Sequence, residues 1–182
     1  MDFTTQCIVG EHFVKEPDQS SIPDYLTDWR GLSIRVGDAL VPAPAEDVDV
    51  IRRYPCWPEK GGTIDGIRLS IQTQRRIYAI NEEVRVIHVV EVSAPGREVY
   101  IMGPKKIYGE FVDGQLATQM PPDGEGDPLA PAFYDGATLK SPALDYNYDI
   151  STYVFDSPGI HEIYWQMGSR KSNTLMITVI EQ

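Results

Sequence analysis

The stretch Val84-Arg-Val-Ile-His-Val-Val-Glu-Val92 decides the fold of this chain. β-Branched residues favour the extended backbone of a strand, and successive side chains of a strand point to opposite faces of its sheet. One face of this strand carries four valines and His88, and the other carries Ile87 and Val89 between two charged residues. Because both faces are largely apolar, the pattern predicts a central strand that is covered on both sides.

Shorter segments with a similar composition lie on both sides of it, within the C-terminal two thirds of the chain. They are Ile67–Gln72, Val99–Met102, Ile107–Val112, Ser151–Phe155, Ile160–Trp165 and Leu175–Ile180. Turn residues separate them, and the dipeptide Asp113-Gly114 is typical of a tight hairpin. No helical pattern interrupts these segments, which argues against the alternating strands and helices of a parallel-sheet enzyme. We therefore predict a mainly β fold, an antiparallel β-sandwich over residues 64–182.

The first 60 residues are more mixed, and we predict an N-terminal extension that packs on the sandwich. It begins with strand-like residues, and apolar side chains at helical spacing then predict a short amphipathic helix over 22–30. A Gly-Asp turn predicts a hairpin over 32–41. Residues 44–54 fit a helix or a strand, and we favour a short helix because acidic residues come early and arginines late.

The composition excludes several classes of protein. The chain has 182 residues, with 27 acidic and 16 basic side chains and a net charge of −11. Nucleic acids and anionic membranes attract clustered Lys and Arg, so neither is expected as a partner. No apolar run approaches the roughly 20 residues that cross a bilayer. Apolar residues make up 42% of the chain, enough for a folded core, so we expect a soluble globular protein.

The compartment stays open at the level of sequence. The first residues show neither a basic region nor an apolar region, so the chain is either cytoplasmic or exported with its leader removed. The two cysteines, Cys7 and Cys56, would form one disulfide in an oxidising compartment. The alternative is two separate buried thiols, which behave as small apolar groups.

The end of the chain resembles a known class of domain. Asp156-Ser-Pro-Gly-Ile-His-Glu-Ile-Tyr-Trp165, followed by the strand pattern of Ser172–Ile180, resembles the last two strands of bacterial immunoglobulin-like accessory domains. Residues Tyr78–Val86 look like the second strand of such domains. The resemblance covers about residues 64–182 and implies an immunoglobulin-like β-sandwich that binds, spaces or supports rather than catalyses. The Cys…Trp…Cys spacing of antibody-type domains is missing.

No motif in the sequence predicts a catalytic residue. The three histidines, His12, His88 and His161, lack the spacing of a metal site, and the chain has no nucleophile elbow and no phosphate-binding loop. We expect His88 to be a core histidine with a backbone partner, because it lies on the more apolar face of its strand. A hydrolase built from carboxylates of distant segments is the remaining enzymatic alternative.

An acidic insertion over 113–150 is the unusual part of the sequence. Residues 110–150 contain eight acidic residues and one basic residue, a net charge of −7. Tyrosine and phenylalanine lie among these acids, and such aromatic residues are enriched where proteins bind each other. The predicted partner-binding residues are Phe133, Tyr134, Asp145, Tyr146, Tyr148 and Asp149.

Three interpretations of the insertion remain open. It is a plain connection whose tyrosines pack on the sandwich, or a surface that binds a protein partner, with basic charge as the complement of its acids, or a calcium loop. Asp123, Glu125 and Asp127 occupy alternate positions, as the oxygen ligands of a calcium loop do. No bidentate Glu follows them, which departs from an EF-hand. Ca²⁺ is the only cofactor that the sequence suggests. The favoured hypothesis is a non-catalytic protein-binding module. The alternatives are a cytosolic inhibitor that blocks a basic site and a calcium-dependent ligand or carbohydrate binder.

Overall fold

A computed structural model describes residues 22–121, 129 and 136–181 of the chain. The strands in this part are β1 (Ser33–Val36), β2 (Ala39–Pro42), β3 (Thr63–Ile64), β4 (Ile67–Gln72), β5 (Ile77–Ala79), β6 (Glu83–Val92), β7 (Glu98–Tyr100), β8 (Glu110–Val112), β9 (Gln115–Leu116), β10 (Thr138–Lys140), β11 (Ala143–Asp145), β12 (Ser151–Val154), β13 (Gly159–Met167), β14 (Arg170–Lys171) and β15 (Leu175–Ile180). One α-helix, α1 (Ala45–Arg52), and two 3₁₀ turns, Asp24–Leu26 and Tyr54–Cys56, complete the regular elements of these residues. The helix predicted within 44–54 is therefore confirmed.

Two sheets face each other, and the predicted mainly β sandwich is confirmed. Sheet I has the order β11-β6-β4-β3, with β12 also paired to β6. Sheet II has the order β5-β15-β13-β8-β9, with β14 on β13. All pairs within these sheets are antiparallel except β5 with β15. Two antiparallel strand pairs, β1 with β2 and β7 with β10, lie outside these sheets. The first pair confirms the hairpin predicted over 32–41.

Strand β6 is central and is buried on both faces, as its sequence predicts. Its inner face packs against sheet II, where Trp165 is fully buried among the valines of β6. Its outer face presents Ile87 and Val89 to a second core, which contains Tyr54 and Trp57. Each buried side chain of this size contributes about 1.5–3 kcal/mol relative to an exposed one. The strand therefore requires an apolar cover on each side.

Residues 22–57 form a cap over the outer face of sheet I. Leu26 from the first 3₁₀ turn and Val50 from α1 contribute side chains to the second core. The amphipathic helix predicted over 22–30 is wrong, because only one turn of 3₁₀ helix forms there. The backbone N–H of Arg30 donates to the hydroxyl of Tyr146 and not to a helical carbonyl. A tertiary hydrogen bond thus overrides the local helical spacing.

The carboxylate of Glu91 joins the cap to sheet I. The hydroxyl groups of Tyr25 and Tyr54 each donate to it at 2.8 Å, and the Arg68 guanidinium donates at 2.9 Å. Burial and the hydrogen bond to Glu91 raise the pKa of Tyr25 to about 12. A salt bridge also joins the two layers. Arg85 on β6 donates to the carboxylate of Asp47 on α1, with the closest atoms 2.6 Å apart. The cap is therefore held by paired charges as well as by apolar contact.

Cys56 lies at the end of the cap and is disulfide-bonded. The other cysteine of the sequence, Cys7, lies outside the described residues. Of the two alternatives that the sequence leaves open, the state of Cys56 favours the oxidised form.

Replacing the shared carboxylate tests whether it holds the cap. Glu91→Ala removes one acceptor from three buried or half-buried donors, and we expect the free energy of unfolding to fall by about 3 kcal/mol. Urea unfolding followed by tryptophan fluorescence measures this. Glu98→Ala removes an exposed carboxylate from β7 and is the matched control, with an expected change within about 0.5 kcal/mol. Equal losses in the two variants would contradict this role of Glu91.

Reduction tests the covalent bond at Cys56. We expect a reducing agent to lower the melting temperature of the wild-type chain, because a disulfide typically contributes about 2–4 kcal/mol. The melting temperature of Cys56→Ala should already be low and should not respond to the reductant. A wild-type chain that is insensitive to reduction would show that the bond does not support the fold.

Candidate binding surfaces

The last part of the acidic insertion, residues 143–148, is largely buried in the sandwich. Three predicted partner-binding residues are buried within it: Asp145, Tyr146 and Tyr148. Asp145 pairs with Lys105, and Tyr148 packs edge-on against Trp165 with ring centroids 5.2 Å apart. The expected exposed surface is therefore wrong for these three side chains. The physical reason is that β11 pairs with β6, which draws the following tyrosines into the two cores.

The other predicted site residues have different positions. Asp149 is half-buried, and burial raises its pKa despite the opposing charges of Arg35 and Lys106. Outside the described residues lie Phe133, Tyr134, Asp123, Glu125 and Asp127, so the predictions for them stay predictions. Within the described part of the chain, no group of three or more His, Cys, Asp or Glu side chains is placed to hold a metal ion.

A cavity of about 300 Å³ lies beside β7 at one end of the sandwich. Its walls are polar and apolar in about equal measure: Val92, Val99 and Leu129 line it together with Asp145 and Tyr148. Two of the predicted binding residues thus line this cavity. Because Asp145 already pairs with Lys105, the cavity offers no unpaired charge from this carboxylate.

A buried polar cluster connects the two sheets. His88 on β6 meets Glu110 on β8, with Nε2 and Oε1 2.8 Å apart, and both side chains are fully buried. The Tyr153 hydroxyl donates to the other carboxylate oxygen of Glu110 at 2.6 Å, and the His88 ring lies edge-on to Trp165. The prediction of a core histidine is confirmed, but its partner is a carboxylate and not the backbone. Sequence reasoning missed Glu110, because a single acid after Gly109 gives no sign that it points inward.

The electrostatics of this cluster favour an ionised Glu110. Burial alone would raise the pKa of this carboxyl group, but the charge and hydrogen bond of His88 oppose it. Hydrogen bonds from Ser151 and Tyr153 act in the same direction, so the pKa of Glu110 lies below its ordinary value. Burial and the Glu110 charge together raise the pKa of Tyr153. The side chains of His88 and Glu110 have no exposed surface, and this pair joins the two sheets.

The outer face of sheet II is apolar and exposed. Outward side chains on the adjacent strands β5, β15 and β13, and on β9 beyond β8, are between 43% and 66% exposed. These residues are Ile77, Leu116, Ile160, Met176 and Ile180, here called the apolar face. Strand register places Ile160 beside Thr178 and Thr178 beside Ile77 in one row. The sequences of β13 and β15 indicate this face, because apolar residues occupy outward as well as inward positions in both strands.

A groove separates the two sheets along one side of the sandwich. Lys105 and Tyr148 are joined as a parallel β-bridge, and beyond it the two chain segments diverge into different sheets. The opening has a volume of about 450 Å³. Its lining comprises Lys106–Tyr108, Ala117–Gln119 and Asp149–Tyr153, and we call it the wedge groove. Asp149 is the predicted binding residue that faces solvent here.

Comparison with known proteins gives no match for this chain. No protein-family model matches it, and neither the curated proteins nor the solved structures contain a match. Within the described residues, no helix is both long enough and apolar enough to span a bilayer. The functional argument therefore depends on the surfaces and clusters of the molecule itself.

The Glu110 cluster predicts a specific pH dependence of stability. Since the pKa of Glu110 is lowered in the folded state, its ionised form stabilises the fold above about pH 4.3, the ordinary pKa of Glu, and this contribution is lost as the pH falls further. We expect Glu110→Gln to lower the free energy of unfolding by about 3 kcal/mol at pH 7, and by much less near pH 3. Urea unfolding at both pH values measures the difference.

The control for this experiment is Glu162→Gln on the exposed side of β13. Its free energy of unfolding should match that of the wild type within about 0.5 kcal/mol at both pH values. A constant gap between wild type and Glu110→Gln across the pH range would show that Glu110 acts by packing and not by charge.

Proposed function

We propose that this protein is a non-catalytic protein-binding module and that the apolar face of sheet II is its binding surface. The observation that carries the proposal is the concentration of exposed apolar side chains on this one face. An antiparallel sheet with a solvated face normally presents polar side chains there. Contiguous exposed apolar surface on a soluble domain typically marks a site of interaction.

The charges around this face indicate the chemistry of the partner. Glu162 lies within the face, and Asp156 and Glu181 lie close in sequence to the strands β13 and β15. None of these three acids forms an ion pair with another described residue. The chain as a whole has a net charge of −11. A partner with a basic rim around an apolar centre would complement both properties, and opposite charges would accelerate its association.

The polar clusters of the fold support binding over catalysis. Glu110 and His88 are sealed between the sheets, and Glu91 already accepts hydrogen bonds from three side chains. In these positions the acid–base groups form hydrogen bonds between neighbouring layers of the protein. The resemblance of residues 64–182 to bacterial immunoglobulin-like accessory domains favours the same class of function, because such domains bind or support other proteins.

Introducing charged side chains into the apolar face tests the proposal. The double variant Ile160→Asp, Met176→Asp places two carboxylates on the face, and their desolvation on binding should weaken capture of the partner at least tenfold. The measurement is quantitative mass spectrometry of proteins retained by the immobilised chain, followed by titration of the purified candidate. Retained proteins that respond to the substitutions should carry basic surfaces.

The matched control is Val36→Asp, Leu40→Asp on the β1–β2 hairpin. These two residues are also exposed and apolar but lie outside sheet II. Capture should survive in the control, and both double variants should keep the wild-type melting temperature within a few degrees. Equal loss of capture in both double variants, or no loss in either, would contradict a role of the apolar face.

A further inference from the structure

Strand β12 lies at an edge of sheet I and faces the wedge groove. It pairs with β6 on one side, and in the described residues it has no strand partner on the other. Residues on both sides of Ser151 line the groove, from Asp149 to Tyr153. Alternate residues of an edge strand direct their N–H and C=O groups away from the sheet. The open side of β12 therefore presents unpaired backbone groups toward the groove.

This edge lacks the features that normally prevent pairing with another chain. Native edge strands are short, or carry charged residues or proline. Strand β12 reads Ser-Thr-Tyr-Val, without a charge or a proline, and three of these residues favour strands. Other open edges in the described part are shorter or protected. Strands β3, β9 and β14 have two residues, and β5, β7, β10 and β11 have three. Strand β1 contains Arg35 and β2 contains Pro42.

The groove beside this edge provides room for an additional strand. The four residues of β12 extend over about 13 Å, and the adjacent opening has a volume of about 450 Å³. On its far wall, Ile107 and Tyr108 come from the segment that leads to sheet II. Thr118 and Gln119 add uncharged polar groups, and the charges of the lining residues Lys106 and Asp149 are opposite in sign. The groove as a whole therefore favours no net charge in its occupant.

From these observations we propose that β12 is an acceptor for a β-strand: an extended, uncharged peptide segment of another protein pairs with its open edge and lies in the wedge groove. Only another extended backbone presents alternating donors and acceptors at the spacing that an edge strand requires. Alternate side chains of the peptide then point toward Ile107 and Tyr153. This site is separate from the apolar face and does not depend on the function proposed for it.

The test uses a displayed library of random linear 12-residue peptides, selected against the immobilised full-length chain. The best peptide is resynthesised in two forms, with N-methyl groups on alternate amides in one of two registers. In strand addition only one set of peptide amides faces β12. Methylation of that set should weaken binding roughly tenfold or more, and methylation of the other set should change it less than about threefold. Both forms keep every side chain, so each is the matched control of the other.

Amide hydrogen exchange locates the bound peptide. In the free chain, the outward amides of β12 should exchange faster than those paired with β6, and the peptide should protect them. The apolar-face variant Ile160→Asp, Met176→Asp should bind the peptide as the wild type does.

Three outcomes would overturn the proposal. They are an absence of enriched peptides, equal effects of the two methylation registers, and protection at sheet II in place of β12. A concentration-dependent dimer in sedimentation, with protection at β12 alone, would also overturn it, because the occupant would then be a second copy of this chain.

Discussion

The burial of β6 on both faces is the constraint on which the structure depends. A strand with apolar residues at consecutive positions cannot leave either side in water, so one sheet is insufficient to fold this sequence. Sheet II covers one side through Trp165, and the N-terminal cap covers the other through Tyr54 and Trp57. The three layers are therefore consequences of one nine-residue pattern and not independent additions.

Each interface between these layers contains a paired buried charge. Glu110 meets His88 between the sheets, and Glu91 and Asp47 join the cap to sheet I. Apolar contacts are non-directional, whereas a hydrogen-bonded pair keeps its geometry in few relative positions of the two layers. Since separating such a pair leaves a buried charge without compensation, these contacts restrict how the layers can align. The polar clusters therefore act as determinants of how the layers align.

The sequence predicted those features that depend on local pattern. The period of two in β6 and the turn residues beside it indicated the sandwich, and the charge order of residues 44–54 indicated α1. Features that depend on distant partners could not be predicted. The position of Tyr146 and the conformation of residues 22–30 both depend on the hydrogen bond from the Arg30 N–H to the Tyr146 hydroxyl. These two residues are 116 positions apart in the sequence. For the same reason, the sequence placed the binding surface in the acidic insertion, whereas exposed apolar residues concentrate on sheet II.

The two cores contain different tryptophans, and this distribution has a spectroscopic consequence. Trp57 belongs to the core beneath the cap, and Trp165 to the core between the sheets. An indole shifts its emission to longer wavelength when water reaches it. The third tryptophan, Trp29, also packs against the core beneath the cap. Chains that lack Trp29 and keep only one of the other two fluorophores would therefore report separately on detachment of the cap and on melting of the sandwich. The molecule thus carries an intrinsic optical label on either side of its central strand.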